Sequence, residues 1–404
     1  MLFGIEPSDG QQPNGPLVQA SDGNFYGTTR VGGAGRCFDT DNFCGVIFRV
    51  TPGGTETVVH RFGGPPSDGQ DPTGPLIQGR DGALYGMTTS GGANSRGTVF
   101  KITLGGIYTI LYSFGASPSD GALPVGGLVE ASDGNFYGTT RGGPNYCPQS
   151  GNACGTVFRI SPNGVYTVLH SFSPSPGDGA GPRGSLIQAS DGSFYGTTSG
   201  GGDSNCSPFP GIRGCGTVFR MTPSGAVTIL HAFGASSTDG ILPQGPLILG
   251  GDGAFYGTTY YGGGGACPSE ASCGTVFRIT PAGAATTLYA FSKPTSDGTT
   301  SYADGYNPTA FLIRARDGNF YGTTESGGLI SQSRRTGTIF RLTPSGLKTI
   351  LYNFGPLNEA PSAPIGGLIE ATDGTFYGVT SENGRLGSVG ARSGAGTVFK
   401  MVVP

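Results

Sequence analysis

Eight cysteines stand in four local pairs: Cys37 and Cys44, Cys147 and Cys154, Cys206 and Cys215, and Cys267 and Cys273. A structural zinc site needs four converging thiolate or imidazole ligands. The three histidines, His60, His170 and His231, stand elsewhere in the chain, so no metal is expected. Close cysteine pairs without such partners read as four loop disulfides. Disulfides form and persist in oxidising compartments, which places the chain outside the cell, on its surface or in the periplasm.

Carboxylates come next. Seven aspartates, Asp22, Asp81, Asp133, Asp191, Asp252, Asp317 and Asp373, each open the pattern Asp-Gly-x-(Phe/Leu)-Tyr-Gly. Asp-Gly is what a two-residue hairpin turn of type I′ wants, so these read as turn formers rather than a catalytic ring. A second set, Asp9, Asp68, Asp120, Asp178, Asp239 and Asp297, also precedes glycine, with Glu359 standing in the seventh copy. A Ca²⁺ site takes six to eight converging oxygens. One aspartate per copy is too dispersed for that, and loop-fixing turns are the reading adopted. The third residue of each first strand gives Gln19, Gln78, Glu130, Gln188, Leu249, Arg314 and Glu370. Glu130, Arg314 and Glu370 are the candidate catalytic residues, because a glycosidase or lyase needs such charges in a concave site. The plainer reading is a solvated channel with an Arg314–Glu370 ion pair.

Aromatic side chains supply candidate ligand contacts: Phe209, Tyr260, Tyr261, Tyr302 and Tyr306. Tyrosines clustered on one rim suit stacking on sugar rings or a protein partner, or else pack beneath their own loops. The histidines share a position with Tyr112, Tyr289 and Tyr352, which argues against a proton-transfer task. No nucleophile triad and no nucleotide-binding glycine fingerprint is present, so no cofactor is expected.

The elements that must position these residues come from one repeat of about 58 residues, copied seven times. After each Asp-Gly pattern follows Gly-(Thr/Val)-(Val/Ile)-Phe-(Arg/Lys), starting at Gly45, Gly97, Gly155, Gly216, Gly274, Gly337 and Gly396. In the third copy, strands are expected at 127–131, 136–140, 156–160 and 166–172, with no helical pattern. Four antiparallel strands per repeat make one propeller blade. Glycine at 78 of 404 residues and proline at 30 fit many short strands joined by tight turns. The expected fold is therefore all-β: one seven-bladed β-propeller domain over residues 1–404. Its Asp-Gly and Pro-x-Gly turns share one rim. The opposite rim carries the long, variable loops and all the cysteines, and any site belongs there. The last copy stops after its third strand, and Met1-Leu2-Phe3-Gly4 aligns with the end of a fourth strand. The N-terminal strand is thus expected to complete blade seven and close the ring.

Charge narrows the partners. The net charge is −3 and no Lys/Arg-rich run exists, which removes the electrostatic basis for nucleic-acid binding. No apolar run approaches the ~18 residues of a transmembrane helix, so no membrane insertion is expected.

The string Gly-Leu-(Ile/Val)-(Gln/Glu)-Ala-Ser-Asp-Gly-Asn-Phe-Tyr-Gly-Thr-Thr, followed by Gly-Gly and Gly-Thr-Val-Phe-Arg-Ile-Thr-Pro-x-Gly, resembles the Gloeobacter/Verrucomicrobia tandem repeat of bacterial secreted and surface-anchored proteins. The resemblance spans essentially the whole chain. It implies location rather than chemistry. The Gly-Gly after the second strand is more distantly similar to Kelch blades. The expected function is a secreted recognition or scaffold module, monomeric, binding a glycan or a cell-surface protein on the long-loop rim. Two readings stand beside it: a polysaccharide-active hydrolase or lyase on that rim, and a purely structural surface component.

Overall fold

The structure, a computed structural model, describes residues 10–33, 44–64, 67–147, 152–173, 175, 177–202, 206, 214–264, 273–292, 304–308, 311–328, 336–355, 363–381 and 396–403. Their regular structure is β-strand, arranged as seven antiparallel blades around one axis, with an added small hairpin of Tyr146–Cys147 and Asn152–Ala153. In blade three, Phe136–Gly142 pairs with Thr156–Ile160, which pairs with the outer strand Tyr166–Ser171. Blades one, two, four, five and six repeat this order.

The inner strand differs from the expected single run at 127–131. It comes as two pieces, Ala122–Pro124 and Val129–Glu130, both on the free edge of Phe136–Gly142. Proline has no N–H to continue a ladder. The residue before it, Leu123, holds a left-handed φ of 55°. Its N–H is turned out of the blade and donates to the Arg96 carbonyl of blade two at 3.0 Å. Asp71, Leu242, Asn307 and Ala363 hold the same φ before a proline and bond the preceding blade in the same way.

Between the two pieces the chain bends at a glycine that neighbouring blades require. A Cβ on Gly74 would lie 2.4 Å from the Gly126 carbonyl oxygen, and one on Gly126 2.8 Å from that of Gly184. The sequence continues through Gly184 against Gly245 and returns with Gly366 against Gly15. This converging backbone marks the axis of the wheel.

Blades stack through aromatic residues of the Asp-Gly-x-Phe-Tyr-Gly segment. The Tyr85 ring meets Phe136 of the next blade at 4.0 Å, and Tyr137 meets Phe194 at 4.1 Å. The same contact closes the circle, with Tyr377 of blade seven 4.1 Å from Phe25 of blade one. One core cluster joins Leu17, Phe25 and Phe48 to Ala371, Tyr377 and Val379 across that seam. The expected closing strand at Met1–Gly4 lies outside the described residues. Those of blade seven form three strands, Leu368–Glu370, Phe376–Thr380 and Thr397–Met401.

Candidate functional site

The short-turn rim uses its carboxylates to build the wheel. Asp133 accepts the Asn135 N–H at 3.0 Å and the Tyr137 hydroxyl at 2.9 Å. Burial opposes ionisation of Asp133, but these hydrogen bonds together hold its pKa below the ordinary value. Tyr137 is pushed up to about 12, first by burial and then by Asp133.

The inner-strand ring forms latches between blades. Glu130 Oε2 accepts the Arg80 N–H, and Glu370 Oε2 accepts the Arg316 N–H, each at 2.9 Å. Gln78 and Gln188 do the same for Ser21 and Ser132. Gln19 accepts the Thr372 N–H at 2.9 Å, so the latches also cross the seam. Leu249 and Arg314 occupy the two remaining places and have no acceptor to offer. The expected Arg314–Glu370 pair is replaced: Glu370 Oε1 lies 4.0 Å from Arg316 Nη1. Arg314 reaches back instead, and a Cβ on Gly251 of blade five would fall 2.6 Å from its Nη2. Glu130, Arg314 and Glu370 thus stand on three separate blades, with both glutamates engaged by backbone.

The crossover aspartates fix their loops. Asp120 accepts N–H groups of Gly115, Ala116 and Gly121 and the Tyr112 hydroxyl. His60 contacts Asp68 at 3.2 Å and His231 contacts Asp239 at 3.1 Å. His60, Tyr112 and His231 thus meet their crossover carboxylates from one shared position, whereas His170 Nε2 is buried without a hydrogen-bond partner among the described residues. Asp9, Asp297 and Glu359 lie outside the described residues. In the sixth blade Asp304 takes this role, accepting from the Tyr289 hydroxyl at 2.7 Å and pairing with Lys348 Nζ at 2.6 Å. Burial lowers the Lys348 pKa to about 8, against the opposing pull of Asp304.

The other rim of the axis carries side chains that depart from symmetry. Each second strand continues past the second residue of its Thr-Thr (Met87-Thr88 in blade two, Val379-Thr380 in blade seven) with Arg30, Thr89, Arg141, Ser199, Tyr260, Glu325 or Ser381. In blade three the register puts this residue opposite the left-handed Leu123. In two places this position is tied to the left-handed residue of the next blade. Arg30 Nε pairs with Asp71 Oδ1 at 3.0 Å, and Asn307 Nδ2 donates to the Tyr260 carbonyl at 2.9 Å. The Tyr260 hydroxyl donates to Glu325 Oε2 of blade six at 2.9 Å. Glu325 is buried. Burial raises the pKa of Asp71, against the lowering effect of Arg30.

Of the aromatic candidates, Tyr260 and Tyr261 meet edge to face at 4.5 Å on this rim. Tyr306 bridges Ser326 and packs against the blade five–six core. Phe209 and Tyr302 lie outside the described residues. Cys206 and Cys215 form a disulfide in the blade-four loop. Cys44, Cys154 and Cys273 are also disulfide-bonded. Cys37, Cys267 and the Cys147 side chain lie outside what is described. Among the described residues no group of three or more His, Cys, Asp or Glu could hold a metal ion, and no helix is long and apolar enough to cross a membrane.

The sequence reading passed over Arg30, Asp71, Arg141, Arg183, Asn307 and Glu325. The signal was the position after Thr-Thr, which changes chemistry from blade to blade.

The sequence model of the Gloeobacter/Verrucomicrobia repeat matches residues 1–210 and 211–403. No curated protein matches the chain. Among solved structures, a fungal alcohol oxidase of the AA5 family, in complex with copper, superposes with a TM-score of 0.56 at 14% identity. That match covers 96% of this chain and 74% of the oxidase. The extracellular domain of a proposed hybrid two component system from B. thetaiotaomicron gives 0.53 at 13% identity. There the match covers 98% of this chain but only 40% of that one. A protein of unknown function from Dyadobacter fermentans gives 0.50 at 10% identity, over 98% and 96% of the two chains. At such identities the likeness is one of fold.

Proposed function

The chain belongs to the Gloeobacter/Verrucomicrobia repeat family, and on that premise we propose that it is a secreted recognition module that binds a glycan at the long-loop end of its axis. One observation carries this reading. Positions that repeat symmetry would make alike become Arg30 with Asp71, Arg141, and Tyr260 with Asn307 and Glu325, all on one rim. Such a mixture of aromatic faces, arginine and amide groups suits a polyhydroxylated ligand with an apolar face. The hydrolase or lyase reading gains less support. Glu130 and Glu370 already accept backbone N–H groups on the opposite rim, far round the ring from each other. The disulfide supports a location outside the cytoplasm, and binding by a single copy is the simplest arrangement.

A glycan array probed with the labelled chain tests the proposal, followed by mass analysis of each retained glycan after incubation. Retention with the glycan mass unchanged is expected. New chain ends on a retained glycan would turn the reading toward an enzyme, and an empty array would overturn glycan recognition.

A further inference from the structure

Blade one shows what an arginine after Thr-Thr does in this repeat. Arg30 takes the carboxylate of Asp71, the left-handed residue of the next blade, at 3.0 Å. Blade three has an arginine at the same position, Arg141, but its counterpart in blade four is Gly181. Gly181 keeps the left-handed φ, at 65°, and keeps the bond of its N–H to the Cys154 carbonyl at 2.9 Å. The backbone is thus the same and only the counter-ion is gone.

A second guanidinium is added beside the first. Arg183 follows Pro182 where the equivalent residue of blade two is Thr73, whose hydroxyl lies 2.7 Å from Thr89. Burial lowers the Arg183 pKa, and the nearby charge of Arg141 lowers it further. Arg183 Nε is buried without a hydrogen-bond partner. Neither arginine has an ion-pair partner among the described residues. Two cations near each other repel unless an anion lies between them, and guanidinium groups bind planar or tetrahedral oxyanions through paired N–H groups.

We propose that Arg141 and Arg183 receive an anionic group of the bound saccharide, a uronate carboxylate or a sulfate ester, at the blade three–four side of the long-loop rim. This inference rests on the recognition reading above and names the class of its ligand. The expected ligand is therefore an acidic polysaccharide rather than a neutral one.

Calorimetric titration of the full chain tests this with oligogalacturonate, its methyl ester and chondroitin sulfate. Binding of an acidic probe is expected to weaken about tenfold in Arg183→Gln and in Arg141→Gln, the scale of one charge-assisted hydrogen bond. It should be unchanged in Arg278→Gln, on the opposite rim. Gly181→Asp is the sharper variant. Asp71 already adopts this backbone, so the fold tolerates the change, and the new carboxylate should take Arg141 and abolish acidic binding. Oligogalacturonate binding alone assigns a carboxylate; because chondroitin sulfate also carries glucuronate carboxylates, a sulfate ester is assigned by chondroitin sulfate binding that is lost with its desulfated form. Equal affinity for acid and methyl ester, or full binding by Gly181→Asp, overturns the inference. Rim-dependent binding of a neutral glycan would then leave the recognition reading standing by itself.

Discussion

Replacing Leu249 with glutamine should install a missing latch between blades four and five. Gln78 shows the geometry to be copied: its Oε1 accepts the Ser21 N–H and its Nε2 donates to the Gly82 carbonyl, each at 2.9 Å. In Leu249→Gln the corresponding partners are the Ser190 N–H and the Gly253 carbonyl. Each bond contributes about 0.5–1.5 kcal/mol net. Leu249 is already 41% exposed, and giving up its remaining contacts costs roughly 1 kcal/mol. Global stability therefore barely moves. Even a full 1 kcal/mol would shift Tm by only about 1 °C in a chain of this length. Local exchange is the informative readout, because the Ser190 amide changes from unlatched to bonded. Hydrogen exchange followed by mass spectrometry should find peptides holding Ser190 and Gly251 faster than those holding Ser132 or Arg80. In Leu249→Gln the Ser190 peptide should slow by about 2- to 10-fold, and the Gly251 peptide should stay fast. Equal exchange in all seven turns, or no slowing at Ser190, would refute the latch reasoning.

Further outcomes follow from single contacts. Gly138→Ala should destabilise blade three by about 1–3 kcal/mol by overpacking, since a Cβ there would lie 2.6 Å from Phe158 Cζ; denaturant titration checks it. Asp304→Ala should cost roughly 3 kcal/mol, because Lys348, only 4% exposed, would lose its carboxylate partner; thermal unfolding against a Lys348→Tyr, Asp304→Ala double variant separates the lost pair from the lost loop contact. Burial holds the His170 pKa below its ordinary value, with Asp178 opposing. The unfolded chain therefore binds this proton first, so the contribution is complete above the ordinary histidine value and is lost as pH falls through the lower folded one. His170→Phe should flatten the part of the stability profile below the ordinary histidine pKa that this residue causes, measured by urea unfolding at each pH.

The wheel was legible in the sequence because its period, its Asp-Gly turns and its Gly-Thr-Val-Phe segments are local signals. The broken inner strand was not. Leu123 turns left-handed to reach the Arg96 carbonyl of another blade, and no local preference encodes that partner. The sixth crossover contains two Asp-Gly steps, at Asp297 and Asp304. Asp304 meets Tyr289 and Lys348, which residue spacing alone does not reveal, and Asp297 lies outside the described residues. Glu130 and Glu370 drew notice as charges in a ring of glutamines, whereas position had given both kinds of side chain the same task. The reverse held for Arg141. Its meaning depends on the residue that the next blade presents, and that pairing is visible only from the Arg30–Asp71 contact.

The central claim is that ligand engages the long-loop end of the axis and leaves the short-turn end free. Hydrogen exchange of the chain with and without a glycan retained on the array tests it most directly. Peptides spanning Arg141 and Arg183, and those spanning Tyr260 and Glu325, should gain protection on binding, while the Asp133 and Asp317 turns should not change. Protection confined to the Asp-Gly turns, with the Arg141, Arg183 and Tyr260 peptides unaffected, would contradict the account.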